Sequence, residues 1–574
     1  MDVSLFQYDT LLPDNPRVIY LFPAKVSKSP LCGSKVTKQL QDRSNTVRLS
    51  CPGSDETAYE ALSYTWGSVV TGASFHIQVQ DQALPITRNL HDALLRLRHS
   101  TDVRTLWIDQ ICINQDSALE RNSQVAMMSR IYRSAMRVLI WLGEPDNPSR
   151  DPFEFQEDLF REARAARVAV QGTANDMGSH DSIEQVIYGG WSPMMGSPVA
   201  VAFRDLFEKP WFTRSWIVQE VALASDAVVC CGSYHTAFTR FDRASSVMKR
   251  IGWPTPTSMD LVRLVRSQKS TIEAPYRLDL ANLLYLSHKL EAKLPHDKVY
   301  ALLGLVADGD DPAYTPNYED EINIVYHRAA AHMITTSNSA DILACVCWPK
   351  NLEKLPSWVP DWTCPPQASQ PFTSTRSGLF LHRVVVSDGR LITLGRRLDT
   401  VFSIGSYTLE TDWYVYGPSG NDVAAQWDEM ITIAAQAHSM PFDLVKRKLF
   451  IAVNTESAID EERTTRLYNA CFFKPVADSS RPAFSQAPWR AEYRYMCKIC
   501  AGRAAMLTAR NKYLVLGPVG VRVGDVVWQL TDGDLCFILR PGILVDTWIL
   551  IGACYLQIPS AGLTEESLQP LVIV

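Results

Sequence analysis

The first 235 residues alternate short apolar segments with amphipathic helical segments, and this alternation limits the fold more than any other feature. The segment NLHDALLRLRH (89–99) repeats leucine at helical spacing. Strand-like segments lie on both sides of it and further along the chain, at 59–64, 105–109, 137–142 and 227–232. Strands separated by helices of this length usually pair in parallel, because antiparallel neighbours need only a short turn. The pattern predicts an α/β domain with a doubly wound parallel sheet over residues 1–235.

Three further regions differ from this pattern. Residues 146–199 interrupt it with a polar helix and a Gly/Ser/Met-rich tail, which indicates an inserted excursion outside the sheet. Residues 236–400 are predicted to be mostly helical. Residues 401–574 begin with a predicted helix (422–439) and continue with short apolar segments between Gly, Pro and Asp, as in a small β-sandwich or barrel. We therefore expect a three-part chain with a β-rich C-terminal module.

Composition excludes several classes of protein. The 56 Lys and Arg residues against 62 Asp and Glu give a net charge of −6, without the basic excess of a dedicated nucleic-acid binder. No run of about 18 apolar residues predicts a membrane-spanning helix, and the N-terminus lacks the pattern of a secretory signal. Thirteen scattered cysteines do not form a disulfide framework. We expect a soluble, multi-domain, cytoplasmic protein.

Common catalytic and metal-binding motifs are missing from the sequence. It contains no P-loop, no dinucleotide-binding glycine pattern and no HExxH motif. Cys497 and Cys500 form a lone CxxC pair, whereas a structural zinc site needs four ligands. We predict no metal and no bound cofactor.

Polar and aromatic residues follow the predicted strands where each strand ends. Tyr64 and Trp66 follow the first strand, and Asp109 ends the second. Ligands of open α/β sheets bind beyond the carboxyl ends of the strands, and Glu220 on a later helix could face the same crevice. The simpler alternative makes Asp109 a helix cap and Glu220 a solvated helix acid. It places four tryptophans in the core: Trp66, Trp107, Trp211 and Trp216.

Several long segments resemble the fungal heterokaryon-incompatibility (HET) domain. They are YEALSYTWG (59–67), LWIDQICINQ (106–115), the segment 120–144 and WFTRSWIVQEVA (211–222), in the order of the family. The resemblance continues in DKVYALLGL (297–305), LPSWVPDWT (355–363) and the segment 524–541. One departure is His296, which stands where family members often have arginine. The resemblance implies a role in nonself recognition after cell fusion, in which activation of the domain triggers programmed cell death.

HET domains are in turn similar to TIR domains, whose sheet is doubly wound and flavodoxin-like. The resemblance rests on Ser63-Tyr64, on Trp107-x-Asp109 and on Ser215-Trp-x-x-x-Glu220, in that order. In TIR enzymes that cleave NAD, a glutamate follows the tryptophan of the last helix at comparable spacing. The resemblance therefore implies that Glu220 is the catalytic residue of an NAD glycohydrolase, with NAD as substrate.

This hypothesis assigns binding roles to residues around Glu220. Its candidate nucleotide-binding residues are Tyr64, Trp66, Gly67, Asp109, Asn114, Gln115 and Arg214. The planar guanidinium of Arg214 suits phosphate.

The alternative hypothesis is a non-catalytic signalling module that triggers cell death by self-assembly. In that case Asp109 and Glu220 cap helices or pair with Arg214. Both hypotheses expect a protein partner or self-association on activation, and neither expects nucleic acid or a membrane span.

Overall fold

The computed structural model describes two compact units. The described residues are 6–8, 16–23, 46–50, 58–67, 75–79, 82–173, 196–250, 253–269, 279–337, 341–346, 348–364, 382–408, 432, 435–436, 503–511, 513–530, 535–556 and 568–574. Unit 1 combines Met1–Asp279 with Lys289–Asp320, and unit 2 combines Leu280–His288 with Glu321–Val574. The sequence predicts domain boundaries at residues 235 and 400. The observed units differ from that division because each takes up two separate stretches of the chain.

Unit 1 is built on a nine-stranded sheet with the order β5-β4-β2-β1-β6-β3-β7-β8-β9. The strands are β1 (Val18–Leu21), β2 (Thr46–Ser50), β3 (Glu60–Ser63), β4 (Phe75–Val79), β5 (Gln82–Ile86), β6 (Arg104–Trp107), β7 (Arg137–Trp141), β8 (Ala227–Cys231) and β9 (Tyr234–Ala237).

The middle of this sheet is parallel, as the sequence predicted. β3 pairs in parallel with β6 on one side and with β7 on the other, and β7 pairs in parallel with β8. In chain order these four strands are arranged second, first, third, fourth. Val138 and Ile140 on β7 and Ala61 on β3 have no exposed surface, as expected for strands covered on both faces.

The flanks of the sheet are mixed, which corrects the expectation of a doubly wound parallel sheet. β1 pairs antiparallel with β6, and β9 pairs antiparallel with β8. β2, β4 and β5 extend the sheet beyond β1. These flanking strands have four or five residues each. The parallel strands are equally short, but β2, β4, β5 and β9 mix polar with apolar residues, so only the parallel strands were predicted.

Helices connect the parallel strands and form much of the region after residue 236. In chain order the helices are α1 (Arg88–Leu97), α2 (Asp109–Cys112), α3 (Ala118–Ser134), α4 (Phe155–Thr173), α5 (Pro198–Asp205), α6 (Trp216–Ala222), α7 (Phe238–Arg250), α8 (Thr257–Lys269), α9 (Leu280–Leu286), α10 (Asp297–Leu303), α11 (Ile322–Ser337) and α12 (Asp341–Ala344). Helices α9, α11 and α12 belong to unit 2. In α1 the leucines at helical spacing are buried, and the hydroxyl of Thr87 caps the helix by accepting a bond from the Leu90 amide.

The described parts of the insert contain α4 and the start of α5, and no strand. The first turn of α4 is packed: Phe155 and Leu159 are fully buried, and the ring centroids of Phe155 and Phe203 lie 6.0 Å apart. The beginning of the insert is thus part of the core of unit 1, because its apolar residues recur at helical spacing. The tail at 174–195 lies outside the described residues.

Unit 2 contains a closed β-barrel. Its strands are β10 (His382–Ser387), β11 (Arg390–Thr408), β12 (Arg503–Thr508), β13 (Leu514–Pro518), β14 (Val526–Gln529), β15 (Leu535–Pro541), β16 (Thr547–Leu556) and β17 (Gln569–Ile573). Pairing runs from β11 through β12, β13, β16, β15 and β14, and β14 pairs with β11 again. The predicted C-terminal β-rich module is confirmed. The strands β10 and β11 begin before residue 400, in the region predicted to be mostly helical.

Two features of the sequence fall outside the described part of the chain. The predicted helix at 422–439 is described only at residues 432, 435 and 436, and the Cys497–Cys500 pair is not described. Within the described ranges, no helix is both long enough and apolar enough to cross a membrane.

Candidate active site

The carboxyl ends of β3 and β6 bring the predicted polar residues together. The chain leaves β3 at Ser63 and continues through Tyr64 and Trp66, while Asp109 follows β6. The strands β6 and β7 lie on opposite sides of β3, so the chain order reverses at β3. Open α/β sheets bind ligands in the crevice at such a reversal.

Glu220 lies on α6 and points into this region. The Ser63 hydroxyl donates a hydrogen bond to Glu220 Oε2. Trp211 Nε1 donates to the same hydroxyl oxygen at 2.9 Å. Only 1% of Glu220 is exposed, so its carboxylate is held by protein groups instead of water.

Arg214 connects Glu220 to the end of β3. Its Nη2 lies 3.7 Å from Glu220 Oε1, and its Nη1 donates to the Tyr64 carbonyl oxygen. The Arg214 side chain is 21% exposed, against 2% for that of Glu220. Arg214 is therefore the more accessible member of the pair.

Burial sets the ionisation of this carboxylate. It raises the pKa of Glu220 to about 6, against the opposing effects of the Arg214 guanidinium and the Ser63 hydroxyl. Asp109 adds to the increase through its own negative charge. An acid with a pKa near 6 is mostly ionised at neutral pH and titrates within a physiological range.

Asp109 holds the indole of Trp66. Trp66 Nε1 donates to Asp109 Oδ2 at 2.9 Å, and the amide of Gln110 donates to Oδ1 at 2.7 Å. Burial raises the pKa of Asp109, while Arg214 and the bond from Trp66 oppose that increase. Burial lowers the pKa of Arg214, but Glu220 and Asp109 together raise it above its ordinary value. The cluster thus contains two carboxylates around one guanidinium.

Tyr64 lies at the base of the cluster. It is 1% exposed, and its hydroxyl donates to Gln110 Oε1 at 3.2 Å. Burial raises the pKa of Tyr64 well above its ordinary value, so its hydroxyl is protonated at neutral pH. Tyr64 can donate a hydrogen bond but does not act as a base.

The other predicted residues lie at different distances from the cluster. Gln115 Nε2 donates to the Asp109 carbonyl oxygen at 3.0 Å, which ties it to the backbone of the site. The side chain of Asn114 instead accepts a bond from the Asp116 amide, in the turn before α3. Gly67 is exposed and has φ +76°, a conformation that suits glycine at the turn after β3. The structure brings Tyr64, Trp66, Asp109, Arg214 and Glu220 into one network.

The sequence offered two interpretations of the tryptophans, as residues of a ligand site and as residues of the core, and the four side chains differ in burial. Trp107 and Trp211 are buried in the core, as the packing interpretation predicted. Trp66 and Trp216 are partly exposed.

Sequence reasoning missed three residues of this site. Ser63 donates to Glu220 directly, and Trp211 donates to Ser63. Of these two, Ser63 gave a signal in the sequence because it ends a strand next to Tyr64. Lys293 lies over the ring of Trp66, with Nζ 5.1 Å from the ring centroid. No sequence pattern links Lys293 to Trp66, because only the folded chain brings them together. Within the described residues, no group of His, Cys, Asp and Glu side chains is arranged to hold a metal ion.

The fold and the site define unit 1 as an α/β domain with a buried carboxylate–guanidinium cluster at the carboxyl ends of its parallel strands. Residues 59–220, which contain the whole network from Tyr64 to Glu220, match the family model described as Heterokaryon incompatibility protein (HET). Over these residues the chain is therefore similar to the HET domain family.

A curated relative extends the similarity beyond this domain. The chain is 28% identical over 427 residues to the Heterokaryon incompatibility protein 6, OR allele, of Neurospora crassa. The aligned region covers 62% of this chain and 60% of the length of that protein. No solved structure matches the chain.

Proposed function

We propose that this protein acts in heterokaryon incompatibility, the nonself recognition that follows cell fusion and ends in programmed cell death. The HET domain at 59–220 and the similarity to the Neurospora crassa heterokaryon incompatibility protein support this role. In this proposal the protein is cytoplasmic, and a protein partner or a second copy of the chain activates it.

The proposed activity of unit 1 is that of a TIR-like NAD glycohydrolase. The order of the parallel strands, second-first-third-fourth, is the beginning of the flavodoxin-like order, in which ligands bind where the chain order reverses. The cluster of Glu220, Arg214 and Asp109 lies at that position. These two observations support the TIR-like assignment independently of the sequence motifs.

The chemistry needs a carboxylate and no acid. When the bond between the nicotinamide nitrogen and ribose C1′ breaks, its electron pair neutralises the positive nitrogen, and nicotinamide leaves without protonation. Positive charge develops on the ribose, and water then attacks C1′ and loses a proton. A carboxylate beside the ribose stabilises that charge, as in glycoside hydrolysis.

The single observation that carries the proposal is the environment of Glu220. Its carboxylate is buried and oriented by Ser63 and Trp211, and its pKa is about 6. A fixed, poorly hydrated negative charge stabilises a developing cation more strongly than a solvated one. Arg214, the more exposed partner of Glu220, is the proposed contact for phosphate. Trp66 and Tyr64 line the nicotinamide side in this proposal, and Asp109, Gln115 and Asn114 orient the ribose.

One observation favours a second function, a non-catalytic module that signals by self-assembly. Glu220 and Arg214 lie 3.7 Å apart with Glu220 fully covered, which is also the geometry of a structural ion pair. Removing one partner of a buried pair strongly destabilises a protein. The two functions therefore differ in what the loss of the Glu220 charge does.

Glu220→Gln separates these functions. The glutamine keeps the size of the side chain and removes its charge. If Glu220 is catalytic, NAD cleavage by the concentrated purified protein falls on the order of 10²-fold or more, while the melting temperature does not fall. Nicotinamide release measures the first quantity and thermal unfolding the second.

Glu208→Gln is the matched control, because Glu208 is an exposed glutamate of the same unit. Equal NAD turnover by the Glu220→Gln variant and the unmodified protein would exclude the catalytic assignment. A large fall in melting temperature would make Glu220 structural and favour the self-assembling module.

A further inference from the structure

The indole of Trp66 is fixed in place and carries a cation on its face. Its Nε1 donates to Asp109 Oδ2 at 2.9 Å, which sets the plane of the ring. Lys293 Nζ lies 5.1 Å from the ring centroid. Lys293 is exposed and Trp66 is partly exposed, so solvent reaches this contact. A ring held at one edge, with an open face, is accessible to a ligand.

The electrostatics of this ring favour positive charge. The face of an indole carries the negative part of its quadrupole and attracts ammonium and other organic cations. The bond from Nε1 to the Asp109 carboxylate places a negative charge at the edge of the same ring, and hydrogen-bonded groups polarise one another. The site thus attracts positive charge through both the indole face and the adjacent carboxylate.

Backbone contacts place Lys293 over the ring. The Glu291 amide donates to the Thr213 carbonyl at 2.5 Å, and the Ser215 amide donates to the Glu291 carbonyl at 2.8 Å. These two bonds flank Arg214 on both sides. The segment 289–294 is therefore anchored next to the backbone of Arg214, and Lys293 extends from the anchored segment to the ring of Trp66.

We infer that the face of Trp66 is a binding site for an organic cation, the pyridinium ring of an oxidised nicotinamide nucleotide, and that Lys293 occupies this site until the ligand displaces it. The identity of the ligand rests on the function proposed above. A dihydronicotinamide ring has no charge and gains no cation–π attraction on the indole face. The flexible four-carbon stem of lysine lets its ammonium move away without disturbing the anchored backbone. Lys293 is thus an internal competitor that lowers the affinity of the site for its own substrate.

The test uses two small probes that lack ribose and phosphate. N-methylnicotinamide, here the compound methylated on the ring nitrogen, carries the pyridinium charge, whereas nicotinamide is neutral. Lys293→Met keeps the length and apolar stem of the side chain and removes the charge. We expect the full-length Lys293→Met variant to bind N-methylnicotinamide about two- to fivefold more tightly than the unmodified protein, since this is the value of an exposed cation–π contact. Its affinity for nicotinamide stays unchanged. Ligand-observed NMR titration measures both.

Two further variants complete the comparison. Lys289→Met removes an exposed lysine of the same segment and leaves both affinities unchanged. Trp66→Leu removes the aromatic face, and we expect it to abolish the preference for the charged probe. An unchanged affinity of Lys293→Met for N-methylnicotinamide, or equal gains for both probes, overturns the inference.

NAD turnover by the same proteins separates this inference from the proposed function. Probe binding as expected, without nicotinamide release by the unmodified protein, refutes the hydrolase and leaves the cation site standing. Nicotinamide release by a protein whose probe affinities do not depend on Lys293 supports the hydrolase and overturns the inference.

Discussion

The hydroxyl of Ser63 has one proton, and its neighbours determine where that proton points. Trp211 Nε1 can only donate, so the Ser63 oxygen accepts that bond at 2.9 Å. The hydroxyl proton is then directed at Glu220, where it stabilises the charged form of the carboxylate. This small network orients Glu220 without adding charge. A serine at the end of β3 therefore matters as much to the site as the charged residues that the sequence pointed to.

The pKa of Glu220 makes the proposed activity depend on pH. Because only the ionised carboxylate stabilises the developing ribose cation, NAD cleavage should rise with pH through about 6 and level off above it. Ser63→Ala removes a bond that lowers this pKa, so the rise should move to higher pH. Initial rates of nicotinamide release between pH 5 and 8 test both expectations. A profile that is flat across this range would show that Glu220 does not control the rate.

The same pKa has a consequence for stability. The folded protein holds the Glu220 proton more tightly than the unfolded chain, since the pKa rises from 4.5 to about 6 on folding. The stabilisation is complete below pH 4.5 and is lost as the pH rises through 6. Over this range the free energy of unfolding should fall by about 2 kcal/mol relative to the Glu220→Gln variant. Denaturant unfolding of both proteins at pH 4 and pH 7 measures the difference. An equal change in the free energy of unfolding of the two proteins between these pH values would contradict the expectation.

Among the helices and strands, the sequence predicted those that have a recognisable pattern of apolar residues within their own segment. The parallel strands β3, β6 and β7 are short apolar runs between helices, and all three were predicted. The helices α10 and α11 lie in the region predicted to be mostly helical. Most of the flanking strands were missed because they mix polar with apolar residues and are stabilised by pairing with neighbouring strands, which a strand's own sequence does not show. The members of the site were predicted where they follow a strand, whereas Lys293 reaches the site only through a long-range contact.

The contacts of Gly304 explain the glycine at the second-last position of the segment DKVYALLGL (297–305). A Cβ at this position would lie 2.2 Å from Ser129 Cβ and 2.6 Å from Gln219 Oε1, and the Gly304 amide donates to that same oxygen. The end of α10 thus packs against α3 and against α6, which carries Glu220. We expect Gly304→Ala to lower the free energy of unfolding by about 1–3 kcal/mol, the usual cost of overpacking a core. Denaturant unfolding measures this.

A double-mutant cycle identifies the source of that cost. Ser129→Gly removes the nearest atom, so the double variant Gly304→Ala/Ser129→Gly should be more stable than the sum of the single effects predicts. Additive effects would show that steric contact with Ser129 is not the reason for the glycine.

On the scale of the whole molecule, distant parts of the chain complete each unit. Residues 289–320 follow a segment of unit 2 but pack in unit 1, where they supply Lys293 and α10. In unit 2 the end of the chain is joined to residues far before it, since the Val574 carbonyl accepts bonds from the amide and the hydroxyl of Ser357. The spacing of apolar residues along a short segment contains no information about such contacts between distant parts of the chain. The domain boundaries predicted from the sequence lie where the pattern of apolar residues changes. The boundaries of the observed units are instead set by which segments pack together.

The last strand, β17, gives a direct test of this long-range assembly. It pairs antiparallel with β11 and parallel with β16, and it places Leu571 and Ile573 in fully buried positions. Leu571→Ala should lower the free energy of unfolding of unit 2 by about 2–5 kcal/mol, the usual cost of shortening a buried leucine. Gln569→Ala, at an exposed position of the same strand, should change it by under about 0.5 kcal/mol. Thermal unfolding followed by far-ultraviolet circular dichroism distinguishes the two variants. If both left unfolding unchanged, β17 would not be an integral strand of unit 2, and residues 569–573 would contribute little to its stability.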